Sequence, residues 1–185
     1  MVDKFAELIS FLGHNLIQGI FMSVLPIILV RLISKNKIET YFSAQIIRWI
    51  IIIYTFGAII NTMFLLIFEH SEEYAFLNKA TGQDWWFYLL LLVTNSILPL
   101  ILLNKKIGGK LKVLFVIALL MNKDWIFESF VIHVTSIKGN YITEDYNPYL
   151  PNSRETTILI NGFFIGFFSL IIGNGIKKWK EKLDK

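Results

Sequence analysis

The chain contains no cysteine, so disulfides, thiolate metal sites and cysteine nucleophiles are excluded, and any metal or cofactor would need other ligands. Charge is sparse too. Only 17% of the residues are charged, against 55% hydrophobic and 15% aromatic, and the mean hydropathy of +0.57 is far above what a water-exposed globule of this size tolerates. Glycine-rich phosphate loops, zinc-ligand spacings and a serine nucleophile elbow are missing, which excludes the common hydrolase designs. The net charge of +4 does not indicate nucleic acid as a partner, because Lys and Arg lie in short clusters beside apolar runs, the placement that sets membrane topology. No internal repeat and no low-complexity linker divides the chain, so a single domain over residues 1–185 suffices. A cleaved signal peptide would have a short apolar core, whereas Phe5 to Ser34 is longer and carries His14, Asn15 and Gln18; the first apolar helix is expected to stay.

What is present is a series of long apolar runs. A bilayer core of about 30 Å needs roughly 20 apolar helical residues, and about five segments qualify: residues 5–33, 44–68, 85–103, 111–137 and 156–176. Runs such as Trp49 to Tyr54 and Tyr88 to Val93 do not alternate apolar with polar, so they read as helices rather than barrel strands. The expected class is an all-α integral membrane bundle. Arg31, Lys35, Lys37 and Arg48, then Lys105, Lys106, Lys110 and Lys112, then Lys177 to Lys185 fall on one side of such a bundle. The other side has Lys4, Lys79, Lys138 and Arg154 among many acidic residues. The positive-inside rule therefore puts the N-terminus outside and the C-terminus in the cytoplasm of a bacterial inner membrane. The two longer outer loops, with Thr81 to Asp84 and Asn147 to Pro151, offer most of the surface for a docking partner.

The fourth span carries charge. Lys123 and Asp124 fall near its midpoint, where an ionised group is disfavoured by roughly 2.5–3.5 kcal/mol, so they must face protein or water. Asp124 and Glu128 share a helix face one turn apart, while Asn122, Ser129 and His133 line the opposite side. Two carboxylates in a low-dielectric site favour a shared proton, which makes Asp124, Glu128 and Lys123 candidates for a proton relay. The alternative is a structural cluster neutralised by Lys123 or by a cation from another helix. His14 and Gln18 on the first span, Arg48 on the second and His133 on the fourth are candidates for contact with a quinone or a partner. Asn61, Asn95 and Ser96 read as interhelical hydrogen-bonding groups, and Pro99 as a kink. Haem between His14 and His133 is not expected, since Phe130 and Ile132 crowd the fourth span.

The run Glu72-Glu73-Tyr74-Ala75-Phe76-Leu77-Asn78-Lys79-Ala80-Thr81-Gly82, followed by Trp85-Trp86 and Tyr88, Asn95 to Pro99 and Lys105-Lys106, resembles the polysulfide-reductase-like (NrfD-like) membrane subunits, in particular the ActC subunits of alternative complex III. The segment Asn122 to Ile137 extends the match at unbroken spacing, and the whole resemblance spans roughly Gly13 to Gly175. It implies a haem-free membrane subunit of a quinol-oxidising respiratory complex that anchors outer-side iron-sulfur and cytochrome c subunits and takes part in proton conduction. The family's larger members have two bundles, and this chain resembles the second alone; the first, near which the family places its quinone, would come from a companion polypeptide. Three departures stand out. Ser129 occupies the place of an Arg beside the glutamate matching Glu128, Asn61 replaces an acidic residue, and Lys123-Asp124 replaces an apolar or glycine pair.

The leading expectation is thus a membrane subunit of a quinol-linked electron-transfer complex, not a catalyst on its own, with no directly bound cofactor beyond a quinone at a subunit interface. A purely structural anchor, its helix 4 charges paired with a neighbour, is the first alternative. A small ion or solute transporter is the second; the sequence shows no paired broken helices of the kind transporters use, which counts against it.

Overall fold

The computed structural model describes residues 2–34, 38, 40–67, 85–123 and 153–184. Among them every element is helical and none is a strand. In chain order these are α1 (Val2–Leu12), a π segment (Gly13–Ile17), α2 (Ile20–Ile33), α3 (Tyr41–Ile67), α4 (Trp85–Leu92), a second π segment (Val93–Ile97), a 3-10 segment (Leu98–Leu103), α5 (Lys105–Gly108), α6 (Leu111–Met121) and α7 (Ser153–Leu183). Among the described residues three stretches are long and apolar enough to cross a membrane: Lys4–Ile33, Tyr41–Phe64 and Thr156–Leu183. Helices of this length and composition are those of a membrane protein, since only a helix can pair its own backbone where water is absent. Their outward faces agree. Phe163, Phe164, Phe167, Phe168, Ile171 and Ile172 on α7 are all exposed, a surface suited to lipid rather than water. The expected third and fourth spans are represented by shorter apolar helices, Val93–Leu103 and Leu111–Met121.

Two of the expected continuous spans are interrupted. In the first, the N–H of Gln18 reaches back to the Gly13 carbonyl at 2.9 Å, a π-type bond. Gln18 is then extended, and Gly19 adopts φ +83°, a left-handed conformation that α2 restarts from. In the third, the π turn at Val93–Ile97 leads into the 3-10 segment, whose second residue is Pro99. Proline supplies no N–H to the Asn95 carbonyl one turn back and its ring crowds that carbonyl, so the α-helical ladder cannot continue there. The absence of paired broken helices, expected from the sequence, is therefore corrected: the apolar run carries straight through the first break and conceals it, while the second falls at Pro99, where a kink in the third span is expected.

Close packing is set by small residues. On α7 a Cβ at Gly162 would strike the Gly19 carbonyl, one at Gly166 the Ser23 carbonyl and one at Gly173 the Ser43 hydroxyl, so α7 lies against α2 and the start of α3 at backbone distance. Beside this seam, Ile20, Val24 and Ile27 of α2, Ile47 and Ile51 of α3, and Leu114 of α6 form a fully buried core. The ends of the bundle can be read from contacts. Phe5 meets Phe64 edge to face, joining the start of α1 to the end of α3. At the opposite end Arg31, Lys110 and Lys112 border one cavity, and Lys180 stands 4.7 Å over the Phe42 ring. The three basic clusters recognised in the sequence therefore share one end.

Candidate functional site

Both interruptions open onto the same space. A cavity of about 270 Å³ lies between α1, the two π segments, the middle of α3 and the end of α6, and its polar lining is Ser10, His14, Gln18, Tyr54, Asn61, Asn95 and Asn122. Ile9, Ile17 and Met121 supply apolar walls. The seven polar residues come from the four helical spans expected first in the sequence, and π turns are frequent where a helix presents functional groups.

Each polar group has a different standing. Asn122, only 3% exposed, is fully engaged: its amide nitrogen donates to the Ile17 carbonyl at 3.1 Å and the Ala118 carbonyl at 2.7 Å, and its oxygen accepts from the Gly19 N–H at 3.3 Å. It thus stitches both sides of the break in the first span to the end of α6. His14 Nδ1 lies 2.9 Å from the Ser10 carbonyl, an atom that can only accept, so Nδ1 carries the proton and the neutral ring's Nε2 is an acceptor. Asn15, beside it, donates to the Phe11 carbonyl at 2.9 Å. Tyr54 hydroxyl sits over Gly13, 2.9 Å from where a Cβ would be, so any larger residue there would intrude on the cavity.

The side-chain oxygens of Gln18, Asn61 and Asn95 are buried and accept no hydrogen bond, although all three residues line the cavity. A buried polar group left unpaired costs about 1–3 kcal/mol, so three around one cavity mark a place that asks for hydrogen-bond donors. Among the described residues no carboxylate, Lys or Arg lines it.

Of the candidates drawn from the sequence, His14 and Gln18 come together here, joined by Asn61 and Asn95, which the sequence suggested as interhelical hydrogen-bonding groups. Arg48 does not line this cavity. It is 5% exposed and donates to the Leu102 carbonyl at 2.7 Å, the Leu103 carbonyl at 3.2 Å and Gln45 Oε1 at 2.6 Å, serving the carbonyls that the 3-10 segment leaves open. Lys123 follows Asn122 directly and is half-buried. Asp124, Glu128 and His133 lie outside the described residues. Among the described residues no group of three or more His, Asp or Glu could hold a metal ion. A signal for the site existed in the sequence: His14, Asn15 and Gln18 between two glycines put three polar side chains within one apolar span. No protein-family model matches the chain, and no curated protein shows significant similarity to it.

Proposed function

We propose that this chain is a multi-pass membrane subunit of a quinol-oxidising electron-transfer complex, and that the cavity between its interrupted helices receives the quinol head. The observation that carries the reading is the set of three unpartnered oxygens, on Gln18, Asn61 and Asn95, in a cavity that, among the described residues, no carboxylate, Lys or Arg lines. Such a lining prefers a ligand that is neutral and donates hydrogen bonds. A hydroquinone ring has two O–H groups and no charge, and after oxidation it has none to donate, so an acceptor-lined site binds the reduced form and releases the product. His14 Nε2 is the basic atom available to take a proton. The resemblance at residues 72–82, 85–88, 95–99, 105–106 and 122–137 supports membership of such a complex, while the quinol site in this bundle rests on the cavity's lining alone.

In this reading five helices span a bacterial inner membrane with the basic end in the cytoplasm. Iron-sulfur and cytochrome c subunits on the outer side take the electrons, and a companion polypeptide supplies the other bundle. Asp124, Glu128 and Lys123, which follow Asn122 in sequence, are the candidates for carrying protons onward.

The test is binding by the purified chain in nanodiscs, titrated calorimetrically with decylubiquinol under anaerobic reducing conditions and with decylubiquinone. The hydroquinone is expected to saturate one site, with at least about tenfold weaker binding by the quinone and by the Asn61→Leu/Asn95→Leu double variant, the loss of two ordinary hydrogen bonds. Equal binding of both redox forms, or an unaffected double variant, would rule the reading out.

The paired interruptions favour a second reading, a small solute or ion transporter, because transporters bind cargo where broken helices expose backbone and polar groups at mid-membrane. Uptake of solute or ion into proteoliposomes containing this chain alone would select that reading over the first.

A further inference from the structure

A second cavity, of about 570 Å³, opens at the basic end of the bundle and shares no lining residue with the first. Arg31 from the last turn of α2, Lys110 and Lys112 at the start of α6, and Tyr41 at the start of α3 border it, with Ala44 and Leu111 as its apolar floor. All three cationic residues and Tyr41 are exposed, while Ala44 and Leu111 are buried. Among the described residues no acidic side chain lines the cavity; Lys35, Lys37 and Glu39 lie outside them.

We propose that this cavity holds the phosphate-bearing headgroup of an anionic phospholipid. Three cations from two helices converge where α2 and α3 end and begin, which is the level of lipid phosphates in a helix that crosses the bilayer. Tyr41 gives the amphipathic contact typical of that level, and the exposed apolar residues Leu29, Leu32 and Ile33 of α2 provide the surface along which acyl chains would lie. A soluble anion would use the cations but not that apolar surface. The lipid uses both, and bound there it bridges the end of α2 to the start of α6.

The experiment is native mass spectrometry of the purified full chain, released from detergent after equilibration with equal amounts of phosphatidylglycerol and phosphatidylcholine. One phosphatidylglycerol adduct is expected at about tenfold preference. The Arg31→Gln/Lys110→Gln/Lys112→Gln variant should bind both lipids alike, and 10 mM inorganic phosphate, about a hundredfold above the lipid, should leave the wild-type adduct in place. The single variants Arg31→Gln and Lys112→Gln, at exposed positions, should each lower the preference several-fold and serve if the triple variant does not fold. An undiminished preference in these variants, equal adducts of the two lipids with the wild type, or displacement by phosphate would each overturn the proposal. None of these outcomes depends on quinol binding at the other cavity.

Discussion

Two kinds of buried amide meet at the interrupted helices, and they have opposite consequences for stability. Asn122 satisfies the Ile17 carbonyl and the Gly19 N–H across the break, so Asn122→Leu strands both in a buried place. The expected loss is about 2–3 kcal/mol, visible as a lower melting temperature in detergent; melting at the wild-type temperature would show that the stitch contributes nothing. Asn95 has a buried oxygen with no partner. Asn95→Leu removes that unsatisfied group and is expected to leave melting unchanged or to raise it, while weakening hydroquinone binding. A residue that costs stability and lines a cavity is one retained for a ligand; a large fall in melting temperature for Asn95→Leu would contradict that view of the site.

At the scale of the element, α7 depends on having no side chain at three positions. Leucine at Gly166 cannot avoid the Ser23 backbone and would push α7 from α2, whereas leucine at Gly175 meets nothing within 4 Å. Gly166→Leu is therefore expected to lose about 2 kcal/mol or more by overpacking and to yield little monodisperse protein in detergent. Gly175→Leu should purify and melt like the wild type. Similar behaviour of the two variants would mean that the α2–α7 seam is looser than described. The interrupted helices obey the same logic: each break leaves backbone groups that a side chain elsewhere must serve, Asn122 for the first span and Arg48 for the third.

For the whole molecule, the gathering of Arg31, Lys110, Lys112 and Lys180 at one end makes orientation testable, and the lack of cysteine makes the test clean. Single cysteines introduced at Lys110 and Lys182 are expected to resist a membrane-impermeant maleimide in spheroplasts and to react only after permeabilisation. A cysteine at Glu73 should react in intact spheroplasts. The reverse pattern would invert the topology derived from the positive-inside rule.

The amino-acid sequence alone determined that the chain is helical and apolar enough for a membrane, because hydropathy and charge clustering are summed along the chain and need no knowledge of neighbours. It also singled out His14 and Gln18 as unusual within an apolar run. It could not show that Asn122 grips Ile17 and Gly19 more than a hundred positions away, nor that Asn61 and Asn95 face the same space as His14. Those relations arise when three glycines let α7 settle against α2, and when a left-handed glycine and a proline redirect two helices toward one cavity. Which buried amide is a stitch and which awaits a ligand is decided by partners, and partners exist only once the chain is packed.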